Sequence, residues 1–128
     1  MKRILIIDDE NFIRLLLKRT LEDFEFEGVE IEMAPTGEEG LEKLKAAPAD
    51  LIFLDLMMPG INGQEVCEEI RRDSASPQPY IVLLTAKGKV PEMPRDVGPD
   101  CALTKPFDPD QIIALTSEVL GIEIDDGF

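Results

Sequence analysis

The chain has 128 residues, 44% hydrophobic and 31% charged, which suits one soluble domain with a buried core and not a disordered or membrane-embedded chain. With 13 basic residues against 27 acidic ones, the net charge of -14 counts against direct nucleic-acid binding, a task for clustered Lys and Arg. There is no histidine, and Cys67 and Cys101 alone build neither a zinc cluster nor a disulfide framework; they read as packing residues in a reduced, cytoplasmic setting.

Residues 4–7 form an apolar run after Lys2 and Arg3. Asp8, Asp9 and Glu10 stop it, so it is too short for a signal peptide or membrane span and reads as a strand. Ile13, Leu16, Leu17, Thr20, Leu21 and Phe24 then recur at the spacing of one helix face. A second strand is predicted over 29–33. Thr36 with Glu39 gives a capping-box signal ahead of Leu41 and Leu44. A third strand is predicted over 51–54, and Asn62 with Glu65 repeats the capping signal ahead of Val66 and Ile70. A fourth strand covers 80–84. The stretch after it holds Gly88, Pro91, Pro94, Gly98 and Pro99. A proline inside a helix costs about 3 kcal/mol, so the fourth helix is expected to be short, distorted or absent. The last strand covers 101–103. Asp108 then reads as an N-cap and Pro109 as the first position of a final helix running through Ile112, Leu115 and Val119 to Gly121. One domain is expected over 1–122, followed by an acidic tail over 123–128 that frays from 125 onward.

Four of the five strands are rich in Ile, Leu and Val with little polar alternation, which predicts burial on both faces. Alternating strands and helices predict a parallel sheet covered by helices on both sides. In such a sheet the carboxyl ends of all strands share one edge, where ligands bind. Asp8 and Asp9 follow the first strand, Asp55 the third, Thr85 the fourth, and Lys105 comes just after the fifth. Three carboxylates, a hydroxyl and an ammonium are therefore expected in one crevice. Taken singly, each of these residues also fits a turn, a cap or the solvated surface. Clustered carboxylates repel unless a cation sits among them, and magnesium suits carboxylate, water and phosphate oxygens. A carboxylate can also be a nucleophile that forms an aspartyl phosphate.

The segments ILIIDDE, LIFLDLMMPGINGQEV, IVLLTAKG and LTKPF together resemble the receiver domain (CheY-like) of bacterial two-component response regulators. The resemblance covers nearly the whole chain. It implies a flavodoxin-like, doubly wound α/β fold with a five-stranded parallel sheet in the order 2-1-3-4-5. It implies that Asp55 is the phosphoacceptor and that Asp8 and Asp9 hold Mg2+, with Asp9 the more direct ligand. The Met57 backbone carbonyl would complete the metal shell. Thr85 would be the switch hydroxyl, and Lys105, in a frequently cis Lys105–Pro106 peptide, its phosphoryl-pairing lysine. The phosphodonor would be a sensor histidine kinase or a phosphotransfer protein. Output would pass to a downstream protein target by contact or phosphorelay, since no effector domain is recognisable in the sequence.

Two departures from the family pattern stand out. Ala102 occupies the position three before Lys105 where the family usually has an aromatic that swings inward, and the Pro-rich 91–99 segment falls where it has its fourth helix. Both bear on the output surface and leave the phosphorylation chemistry intact. They motivate an alternative, a receiver-fold binding module that works without phosphorylation. An aspartyl-phosphate hydrolase is disfavoured, because Met57 stands where a general acid or base would be needed. The domain would catalyse its own phosphorylation and slow dephosphorylation and turn over no external substrate. Lys87 and Met57 are expected to tune the phosphoryl lifetime.

Overall fold

The computed structural model describes residues 1–73, 77–86, 92–94 and 96–124. Among them β1 (Arg3–Ile7), β2 (Glu30–Ala34), β3 (Leu51–Asp55), β4 (Tyr80–Thr85) and β5 (Cys101–Thr104) make one sheet in the order β2-β1-β3-β4-β5. Every neighbouring pair is parallel. The helices are α1 (Asn11–Thr20), α2 (Glu22–Phe26), α3 (Gly37–Ala46), α4 (Gly63–Arg72) and α5 (Pro109–Leu120). The expected doubly wound fold and strand order are the observed ones.

The period of two along each strand divides the core between the two faces. Leu5, Ile7, Ile52, Leu54, Ile81 and Leu83 point to the side where Val66, Cys67 and Ile70 of α4 pack, with Leu41 and Leu44 of α3 against them. Ile4, Ile6, Leu51, Phe53, Val82 and Leu84 point to the other side, with Leu17 of α1, Phe24 of α2, and Ile112 and Leu120 of α5. Both faces of β1, β3 and β4 are covered, with only Tyr80 at the start of β4 half-buried, which explains their apolar sequences.

The structure corrects three expectations. Burial on both faces holds for the three inner strands. It fails for β2, which is an edge strand with Glu30 exposed and residues 31–33 only half-buried, in keeping with the Glu30, Ile31, Glu32, Met33 alternation. The single predicted helix face from Ile13 to Phe24 is split at Leu21 into α1 and α2. At that junction the Thr20 hydroxyl donates to the Leu16 carbonyl at 2.8 Å, a back-bond of the kind that loosens a helix turn, while Leu17, Leu21 and Phe24 all stay buried. Third, Asp55 and Thr85 close their strands instead of following them, so the sheet itself holds both residues.

No helix occurs among the described residues between β4 and β5. Lys87, Gly88 and Pro91 of that stretch, like the predicted frayed tail 125–128, lie outside the described residues. Arg71, near the end of α4, ties down the approach to β5. Its guanidinium donates to Asp100 Oδ2 at 2.7 Å, to the Gly98 carbonyl at 3.0 Å and to the Pro79 carbonyl at 2.9 Å. Fork-shaped donation of this kind fixes several chain segments with one side chain.

The predicted N-caps form, although at Thr36–Glu39 only the Thr36 half of the expected capping box is made. Thr36 Oγ1 accepts from the Glu39 N–H at 3.1 Å, and Asp108 accepts from the Asp110 N–H at 2.9 Å with Pro109 at the first turn of α5. Gly121 ends α5 with φ 68, a left-handed value that favours glycine. Asn62 and Glu65 make a complete reciprocal capping box at the start of α4. Asn62→Ala is expected to lower the unfolding free energy by about 1 kcal/mol, read as a shifted urea midpoint at unchanged slope. An unshifted midpoint would mean that tertiary contacts alone hold that helix end.

Candidate functional site

The carboxyl edge of the sheet brings the predicted residues together. Asp8 is fully buried just past β1, with its N–H donating to the Ala34 carbonyl at 3.1 Å. Arg14 donates to the Asp8 carbonyl at 2.7 Å, and the Glu10 N–H donates to Asp8 Oδ1 at 2.8 Å. The Asp8 backbone and side chain are thus held from three directions. Asp55, at the end of the central strand β3, is also buried, and its Oδ1 accepts from the Met57 N–H at 3.3 Å. Gly63, the first residue of α4, lies so close that a Cβ there would meet the Asp55 carbonyl and Leu56 Cα.

Lys105 joins these parts from just past the end of β5. Its N–H donates to the Thr85 carbonyl at 2.8 Å, and its peptide bond to Pro106 is cis. Its Nζ lies 3.2 Å from Asp8 Oδ2, 3.3 Å from Asp55 Oδ1 and 3.4 Å from Glu10 Oε1. Asp8, Asp9, Glu10 and Asp55 offer carboxylate oxygens that all lie within 4.8 Å of one another.

The electrostatics follow from burial and crowding. Burial chiefly pushes the Asp55 carboxyl up, to about 7; the Asp8 charge and a hydrogen bond with the Asp9 side chain push the same way, while Lys105 and the Met57 N–H pull back. Burial likewise raises the Asp8 carboxyl against the pull of the Glu10 N–H and Lys105. For the Lys105 ammonium burial acts downward, but Asp8 and Asp55 together outweigh it and the group is held above its ordinary value. The crowding can be relieved by a proton on Asp55 or by a cation from solution.

Not every predicted residue points into the nest. Thr85 is buried at the end of β4, but its hydroxyl donates to the neighbouring Ala86 carbonyl at 2.9 Å, which uses its one proton. Met57 leaves its side chain exposed. Ala102 lies opposite Leu83 in the sheet register and packs, with Met93, against the core on the α3–α4 side. Cys67 is buried within that core and burial pushes its thiol up to about 11, which suits packing and not reactivity. Glu10 was not singled out as a site residue in the sequence, although it is the third consecutive acid after β1. Its contact with Lys105 spans 95 positions and has no local sequence signal.

Comparison with known proteins gives this arrangement a family. The family model described as response regulator receiver domain matches residues 4–117. The chain belongs to that family. This receiver domain is 41% identical over 120 residues to the transcriptional regulatory protein ResD of Bacillus subtilis, covering 92% of this chain and 48% of ResD. The receiver domain therefore spans about half the length of the curated relatives it matches. Among solved structures it is similar to the response regulator TrrA of Thermotoga maritima in complex with Mg2+ and BeF, with 39% identity, a TM-score of 0.76, and 93% of this chain and 99% of that one covered. A CheY-like receiver domain protein of Methanospirillum hungatei aligns with a TM-score of 0.79 at 31% identity, covering 94% of each chain. Among the described residues of the receiver domain, no helix is long and apolar enough to cross a membrane.

Proposed function

We propose that this receiver domain is a phosphorylatable switch in which Asp55 accepts a phosphoryl group in a magnesium-dependent reaction. The observation that carries the reading is the Lys105 ammonium bridging two buried carboxylates, Asp8 and Asp55, at the carboxyl edge of the sheet. The donor set fits magnesium, since it consists of closely spaced hard carboxylate oxygens with an exposed face on the Asp9 side. Asp8, Asp9, Asp55 and the Met57 carbonyl are the residues proposed to hold the ion. When bound, magnesium neutralises the nest and screens the charge of an incoming phosphoryl group.

In the proposed reaction one Asp55 carboxylate oxygen forms the new P–O bond. The donor's bond to phosphorus breaks, and its electron pair leaves on the imidazole of a phosphohistidine or on a small acyl phosphate's carboxylate. Lys105 offers a donor to the transferring oxygens. Thr85 exchanges its bond to the Ala86 carbonyl for one to a phosphoryl oxygen, which gives the two states a differential interaction with the phosphoryl group. The donor is a sensor histidine kinase or phosphotransfer protein, the setting is cytoplasmic, and the signal passes to a protein partner. The receiver unit is proposed to be residues 1–122; Gly121 caps α5, and Ile122 and Ile124 just beyond it still pack against the core.

Incubation with acetyl phosphate and magnesium is expected to add one base-labile phosphoryl group, mapped by mass spectrometry to Asp55. Chelation of magnesium or Asp55→Asn should each reduce labelling by at least about 100-fold, on the scale of losing an essential catalytic group. Full labelling of the Asp55→Asn protein at another residue would overturn the assignment. The small side chain of Ala102 favours one second reading, a module that binds its partner without phosphorylation. A partner that binds Asp55→Ala and phosphorylated protein equally well would establish that second reading.

A further inference from the structure

Glu10 occupies the N-cap position of α1, yet its side chain makes no capping hydrogen bond. Its backbone is fixed at both ends, by its N–H on Asp8 Oδ1 and by its carbonyl accepting from the Arg14 N–H at 3.1 Å. From that fixed point the side chain reaches across the sheet edge to Lys105 Nζ. A residue that gives up the local role of its position for a contact 95 residues away invites an explanation at the site.

Lys105 supplies it. An ammonium has three N–H donors, and here three carboxylates surround it, Asp8, Asp55 and Glu10. A phosphoryl group arriving on Asp55 brings new oxygens that need a donor, so one of these partners must give way. The Asp8 side chain has 0% exposure and that of Asp55 4%, so both stay in the nest, where the proposed metal site also holds them, and neither can swing out to water. The Glu10 side chain is 58% exposed and rehydrates freely on release.

We propose that Glu10 is a positioning residue that holds Lys105 in the unphosphorylated state and competes with the phosphoryl group for its ammonium. This inference rests on the proposed phosphorylation of Asp55. The Glu10–Lys105 pair is the exchangeable contact of the site, and its strength sets how readily the phosphorylated geometry forms.

The test uses the full chain with saturating magnesium and beryllofluoride, a phosphoryl mimic, followed by fluorine NMR. Glu10→Gln is expected to bind the mimic roughly two- to fivefold more tightly, the range of a partly exposed ion pair. Glu10→Asp keeps the charge but withdraws the carboxylate by one methylene, and it should bind as tightly as Glu10→Gln. Wild-type affinity in Glu10→Asp would overturn the contact and leave only a diffuse charge effect. Unchanged affinity in Glu10→Gln would overturn the role altogether. In a separate magnesium titration without the mimic, Glu10→Gln is expected to weaken binding by less than about tenfold, the through-space loss of one carboxylate within 4.8 Å of the others, and Glu10→Asp by less still; a loss of about tenfold or more in Glu10→Gln would make Glu10 a metal ligand and overturn the inference. Wild-type protein that binds no mimic at all would instead sink the phosphorylation reading on which this one rests.

Discussion

Asp55→Asn is expected to stabilise the metal-free domain at neutral pH by about 2 kcal/mol while abolishing phosphorylation. The Asp55 carboxyl sits near 7 in the folded state against 3.8 as its ordinary value, mainly through burial. The folded chain therefore binds more protons than the unfolded one between these values. Stability from this group is fully present below about pH 4 and is lost as pH rises through about 7. The Asn side chain cannot lose a proton, so the difference between variant and wild type should be small near pH 4 and grow until it levels off above pH 7. A difference of about 2 kcal/mol corresponds to roughly 5–10 °C in thermal midpoint for a domain of this size. The scan is run in chelator at a series of pH values. Saturating magnesium should then shrink or reverse the gap, because a folded state that holds the ion gains stability by mass action and the variant lacks one of its carboxylates. A gap that does not change with pH would show that Asp55 titrates normally and that the nest is less crowded than its geometry implies.

Gly63→Ala carries the other large effect. The added methyl group would meet the Asp55 carbonyl and, at 2.8 Å, Leu56 Cα. These are backbone atoms of the central strand and its exit, with β3 paired to β1 on one side and β4 on the other. They cannot yield as a side-chain tip can. Either α4 shifts outward, breaking the 3.0 Å bond from the Gly63 N–H to the Leu56 carbonyl, or Asp55 moves. The expected loss is about 3 kcal/mol of unfolding free energy, the upper range for overpacking, with slower labelling by acetyl phosphate in whatever protein folds. Denaturant unfolding measures the first effect and mass spectrometry the second. A thermal midpoint within about 1 °C of wild type would mean that the helix end has room to retreat, since even 1 kcal/mol should move it by several degrees.

Much of this domain is local in its sequence, and particular residues show why. Uninterrupted apolar runs mark β1, β3 and β4 because each is covered by helices on both faces. Asn62, Glu65, Asp108, Pro109 and Gly121 mark helix ends because capping is chemistry between residues a few positions apart. Asp8, Asp55 and Lys105 could be placed in one crevice from strand order alone, since a parallel sheet gathers its carboxyl ends at one edge. Sequence reading misjudged β2, whose alternating glutamates belong to a sheet edge, and it missed the break at Leu21, where an unbroken apolar face masks a change of helix.

By itself, then, the sequence determined the order of strands and, but for the break at Leu21, of helices, the family and the carboxylate, hydroxyl and ammonium groups gathered for chemistry, all of which depend on short-range pattern or on topology. Tertiary structure alone decided how those groups pair. It set Lys105 among Asp8, Asp55 and Glu10, turned the Thr85 hydroxyl to the Ala86 carbonyl, pressed Gly63 onto the Asp55 backbone, and anchored the stretch before β5 through Arg71. Ion pairing, desolvation and steric contact depend on ångström separations between atoms that the chain holds tens of residues apart, and no local sequence pattern encodes those separations.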